Sequence, residues 1–155
     1  TSNANVDFVT NVGEYHDVVA YSEISSLDPS VQTVIVDMAG NPEIVALVHT
    51  HFGESLKYSC SIGATHWDQT SHRVDTPGPK PQFFFAPSQI SKRSKEWGRA
   101  ELNIRLETAL NTFIEGSKEW LRIEHSRGAD AVSETYSQLV AGKMPPEIGN
   151  ILSFS

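Results

Sequence analysis

Thr33-Val34-Ile35-Val36-Asp37, followed by Met38-Ala39-Gly40 and then Asn41-Pro42-Glu43, is the stretch on which the fold turns. Five residues rich in β-branched side chains read as a strand, and the small residues after Asp37 end it. Asn41 then offers a capping amide, Pro42 a proline at the first helical position, and Glu43 an acid in the first turn, which together predict a helix start. Ile44, Leu47, Val48 and Phe52 mark one face of that helix, and Gly53 closes it. Leu56 to Ile62 reads as a further strand, ending at Gly63.

Upstream, Asn5 to Val12 carries Val6, Phe8, Val9 and Val12 at helical spacings, with Gly13 placed for a left-handed cap. Asp17 to Tyr21 reads as a short strand whose unalternating apolar run suits burial on both faces, and Ser25 to Ser30 as a turn. Strand, crossover, strand, helix, strand implies an α/β fold with a parallel sheet and right-handed crossovers. Downstream, Ala64 to Lys80 lacks periodicity and reads as a long loop, and Phe83-Phe84-Phe85 as a buried strand. A short basic helix starts at Ser88. A longer one, marked by Leu102, Leu106, Ala109, Leu110 and Phe113, runs to about Trp120. A last helix carries Val132, Tyr136, Leu139 and Val140 and stops at Gly142, and Asn150 to Phe154 reads as a closing strand.

Composition narrows the function classes. The 155 residues hold 12 basic and 19 acidic side chains, a net charge of −7, which argues against a nucleic-acid surface built from clustered Lys and Arg. One cysteine excludes an internal disulfide and a Cys-rich metal site. The longest apolar run, Ile44 to Val48, is far short of the ~20 residues of a membrane helix, and no basic segment followed by an apolar one opens the chain. A cytoplasmic protein with no membrane contact is the expectation.

The run of helix, Gly13, Asp17-x-Val19-x-Tyr21, then Val34-Ile35-Val36-Asp37-x-x-Gly40, helix, and a strand ending Ile62-Gly63 resembles the second part of the nucleotide-binding domain of medium-chain dehydrogenase/reductases. The zinc-free, quinone-oxidoreductase-like members are the most similar. Ala129-Asp130-Ala131 through Tyr136, Leu139 and Ala141-Gly142-Lys143 is similar to the family's last helix. Gly63-Ala64-Thr65-His66-Trp67-Asp68 with Phe83-Phe84-Phe85-Ala86-Pro87 resembles an uncharacterised branch of the superfamily, a domain of unknown function.

The resemblance covers nearly the whole chain. It implies an incomplete Rossmann-like, doubly wound parallel sheet with C-terminal helices. The first strands and the glycine-rich turn that admits a pyrophosphate are missing. On this alignment residues 1–155 are a partial nucleotide-binding domain, and Thr1-Ser2 is the end of the second strand. The missing N-terminal half of the same protein becomes an expected partner, and the chain without it is expected to be poorly stable, because strands are left with open edges.

The resemblance also implies NADP(H) as cofactor, a carbonyl, quinone or enone as small-molecule substrate, and hydride transfer between them. Thr1-Ser2-Asn3-Ala4-Asn5 carries no acid for a ribose hydroxyl, which favours NADP. Ser2, Asn5 and Tyr21 then lie near the 2′-phosphate, although Ser2 and Asn5 would equally serve as helix caps. Met38, Ala39 and Gly40, with Ile62, Gly63 and Ala64, would let the cofactor lie against the backbone, although glycines end strands in any α/β protein. Phe83 to Phe85 marks an edge through which a homodimer could form, or a piece of core.

The remaining polar residues permit several roles. His66 and Asp68, with Trp67 and His72 nearby, can act as proton donor and orienting acid or bind a metal, while a polar loop also collects histidines without a role. His49 and His51, two apart on a helix, point to different faces, cannot chelate together, and read as a solvated pair. Cys60 reads as a buried structural thiol. Lys92, Arg93, Lys95 and Arg99 form a basic run that could bind an anionic substrate or the cofactor phosphate but is by default a solvated face, and no metal site is expected. A catalytically inactive nucleotide-binding sensor or structural protein of the same fold is the alternative. A methyltransferase, which also uses an Asp at a strand end, is a third reading.

Overall fold

The computed structural model describes residues 1–63 and 76–154, which fall into two compact units, Thr1–Lys92 and Arg93–Ser155. In the first unit a single 3₁₀ turn, Asn3–Asn5, leads into helix α1, Val6–Val12. Gly13 ends α1 with φ 74° and its N–H on the Thr10 carbonyl, the left-handed cap that glycine adopts without strain. Strand β1, Thr33–Asp37, passes through helix α2, Pro42–Phe52, to strand β2, Leu56–Ser61. The Asn41 side chain accepts from the Glu43 and Ile44 amides, so α2 begins where its cap residues predict.

β1 and β2 pair in parallel, Val34 against Tyr58 and Val36 against Cys60. Strand β3, Gln82–Phe83, pairs in parallel on the far side of β2, giving the order β1-β2-β3. The apolar core of this unit is small: Ala20, Ile24, Phe52, Leu56 and Cys60 are its buried apolar side chains among the described residues.

In the second unit, helix α3, Ala86–Trp97, which begins in the first unit, gives way at Gly98 to helix α4, Arg99–Ser117. Strand β4, Arg122–Arg127, helix α5, Ala129–Val140, and strand β5, Ile148–Ser153, then form a βαβ unit of two parallel strands. The architecture is therefore α/β with short parallel strands, arranged as two small sheets.

Several expectations change. Asp17 to Tyr21 is not an assigned strand: Tyr21–Ser26 is 3₁₀ instead. One rung of a parallel ladder is nevertheless there, because the Thr1 nitrogen donates to the Val19 carbonyl at 2.9 Å and the Tyr21 amide donates to the Thr1 carbonyl at 2.8 Å. These two bonds bracket Ala20, which is buried. Phe83 to Phe85 is not a buried strand. The ladder takes in Gln82 and Phe83 and continues as one bond from the Phe84 amide to the Ser61 carbonyl, and the three rings are 72%, 38% and 56% exposed. β4 had no counterpart in the sequence reading, and β5 begins two residues before the expected Asn150. None of the helices among the described residues is long and apolar enough to cross a membrane.

Candidate functional site

The C-terminal ends of β1 and β2 lie side by side, and one residue ties them together. The Asp37 carbonyl accepts from the Ile62 amide at 2.8 Å and the Gly63 amide at 3.3 Å. The Asp37 carboxylate turns back on its own chain, with Oδ1 accepting from the Ala39 amide at 3.1 Å and the Gly40 amide at 2.9 Å. That is an Asx-type turn, which folds Met38-Ala39-Gly40 over the strand end. Gly40 completes it with φ 72°, a conformation suited to glycine.

Gly63 sits so close to this turn that an added Cβ would lie 1.8 Å from the Met38 carbonyl oxygen. The structure therefore brings together five of the six residues expected to meet the cofactor sugar: Met38, Ala39, Gly40, Ile62 and Gly63. Ala64, His66, Trp67, Asp68 and His72 lie outside the described residues.

Ser2, Asn5 and Tyr21 form a second cluster at the start of the chain. The Asn5 amide donates to the Ser2 carbonyl, and the Tyr21 amide reaches the carbonyl of Thr1, next to Ser2. Neither the Ser2 nor the Asn5 side chain bonds the helix as a cap, so capping does not account for these residues. The neighbouring Asn3 side chain accepts from the Ser22 hydroxyl at 3.1 Å, fixing the two segments to one another.

The histidines of α2 diverge as their spacing requires, but they are not a solvated pair. His49 is fully buried, with Nδ1 2.9 Å from the Pro77 carbonyl and Nε2 3.0 Å from Ser59 Oγ. A carbonyl only accepts, so Nδ1 carries a proton, and in the neutral ring Nε2 accepts from the Ser59 hydroxyl. His49 thus pins the segment before β3 to the helix and to β2. His51 reaches the Leu27 carbonyl with Nε2 at 2.9 Å. The missed signal was the stripe Val45, His49, Phe52, which places His49 on the inward face while Leu47, expected there, is exposed.

Cys60 is a buried free thiol on β2. The basic run is divided between helices, with Lys92, Arg93 and Lys95 on α3 and Arg99 at the start of α4, and it has carboxylate company, since Arg93 Nη1 meets Glu96 Oε2 at 2.6 Å. Among the described residues no group of three His, Cys, Asp or Glu side chains is placed to hold a metal ion.

The family model described as a protein of unknown function, DUF2855, matches residues 1–145. The chain belongs to the DUF2855 family. No curated protein and no solved structure matches it. The match spans both units, so the DUF2855 region includes the strand-end turns of the first and the α3–α4 and β4–α5 segments of the second.

Proposed function

We propose that this DUF2855 chain is part of a Rossmann-like fold that binds NADP(H) and serves hydride transfer to a carbonyl, quinone or enone. The supporting observation is the pair of strand-end turns at Met38–Gly40 and Ile62–Gly63, side by side at the carboxyl ends of adjacent parallel strands. Ligands of open α/β sheets sit in that position. Small residues there let a sugar ring approach the main chain.

The donor set fits a sugar better than a phosphate at this point. The Ala39 and Gly40 amides already donate to Asp37, so a ligand meets this turn through close packing. The 2′-phosphate would fall to Ser2, Asn5 and Tyr21, where Thr1 to Asn5 carry no acid and neither the Ser2 nor the Asn5 side chain caps the helix. The cofactor would supply the hydride, and this chain's residues hold and orient it. His66 is the candidate proton donor and Asp68 the acid that would orient it. The exposed rings of Phe83, on edge strand β3, and of Phe84 and Phe85 just after it support pairing with a second copy along that edge.

Calorimetric titration of the chain with NADPH, NADH and S-adenosylmethionine tests the reading. Saturable binding of NADPH, at least tenfold tighter than NADH, is expected, along with a tenfold or greater loss in Ala39→Glu at unchanged melting temperature. S-adenosylmethionine binding without NADPH binding would replace the reading with a methyltransferase one. A non-catalytic nucleotide sensor of the same fold is the alternative reading. NADPH binding without turnover on a panel of enones would select it.

A further inference from the structure

Helices α3 and α4 are joined by a single residue. The Gly98 amide donates to the Ser94 carbonyl to close α3, and the Gly98 carbonyl accepts from the Leu102 amide to open α4. Gly98 has φ 84° and ψ 151°, outside the helical region, so the chain turns a corner there with no linker. A joint this short leaves the angle between the helices to whatever side chains bridge it.

The indole of Trp97, the last residue of α3, is such a bridge. The Arg105 guanidinium carbon, two turns into α4, lies 4.4 Å from its ring centroid. The Arg93 guanidinium, one turn back on α3, lies 5.0 Å from the same ring. Each cation is itself aimed by a carboxylate on its own helix: Arg93 by Glu96 at 2.6 Å, and Arg105 Nε by Glu101 at 2.7 Å. Two cations on one indole repel one another, and their paired acids offset that repulsion.

We propose that the Arg93–Trp97–Arg105 stack is the latch that holds the α3–α4 elbow at its angle. The carboxylates fix the guanidinium directions, the indole receives both cations, and the Arg105 contact crosses the joint. The competing source of rigidity is Leu102, which is buried in the first turn of α4. A partly exposed cation–π contact changes a two-state ratio by about two- to fivefold, so the latch is strong enough to bias the elbow and weak enough to open.

Spin labels on Lys95→Cys in α3 and Asn111→Cys in α4, both within the second unit, would report the elbow as a distance distribution in the whole chain, with Cys60 buried and unlabelled. Trp97→Leu and Arg105→Gln are expected to raise a second distance population two- to fivefold, while Arg105→Lys, which keeps a cation, retains most of the original one. The Arg105 side chain is 55% exposed, so its replacement leaves the fold intact, which unchanged far-ultraviolet dichroism checks. Distance distributions identical to the parent in both Trp97→Leu and Arg105→Gln would overturn the proposal and assign the elbow to Leu102.

Discussion

Gly63 has no room for a side chain. A methyl group there would overlap the Met38 carbonyl, a backbone atom that cannot rotate away. Gly63→Ala is therefore expected to destabilise the chain by about 3 kcal/mol, at the upper end for overpacking, as read by urea denaturation. His49 is constrained by its two hydrogen bonds. His49→Ala leaves the Ser59 hydroxyl and the Pro77 carbonyl unpaired in a cavity, a loss of about 3 kcal/mol in the same measurement. Asp28 gives a residue-scale pH signature. Its Oδ1 accepts from the Ser30 hydroxyl at 2.7 Å and the Ser30 amide at 2.9 Å, and these bonds hold its carboxyl below the ordinary 3.8. The ionised form is the bonded one, so the turn is intact above 3.8 and loses these bonds as pH falls through the lowered value. Carboxyl titration by NMR should place the Asp28 midpoint below 3.8, and a midpoint above it would remove the hydrogen-bond account.

At the scale of elements, Asn41 alone accepts the two amides that α2 leaves open at its start. Asn41→Ala should cost about 1 kcal/mol by thermal denaturation, whereas Asn41→Asp should cost little. This is also the scale at which the sequence was most legible. β1 and α2 could be read because their determinants are local: a β-branched run, then an amide, a proline and an acid in order. The strand-end turns followed from the same stretch. β4 could not be read, because Arg122-Ile123-Glu124-His125-Ser126-Arg127 has one apolar residue and no alternation, and it is a strand through its pairing with β5. Val18-Val19-Ala20-Tyr21 failed in the opposite way. Its composition favours a strand, but a strand also needs a neighbour, and Thr1 supplies a single rung. His49 was misplaced because spacing tells which residues diverge on a helix without telling which one faces inward.

For the whole molecule, the balance between buried and exposed apolar surface is the governing fact. Val34 and Val36, neighbours on one face of β1, are 58% and 50% exposed, and Leu106, Leu110 and Phe113 lie exposed along α4. Apolar surface on this scale marks contact areas in native proteins and aggregation-prone areas in unpartnered ones. The chain should bind an anilinonaphthalene dye in its native state and sediment faster as concentration rises. Phe83→Asp should reduce that association if the β3 edge carries it. A dye-silent, strictly monomeric chain would mean that these faces are covered in solution.

The two oxygens that Asp37 uses make one further demand. Four amide protons, those of Ala39, Gly40, Ile62 and Gly63, converge on this one residue, two on its side chain and two on its main chain. In deuterium exchange such protons do not behave as four independent clocks. Opening the strand end releases the set, so their protection should rise and fall together. Asp37→Ala should split the set, with Ala39 and Gly40 exchanging early while Ile62 and Gly63 lag.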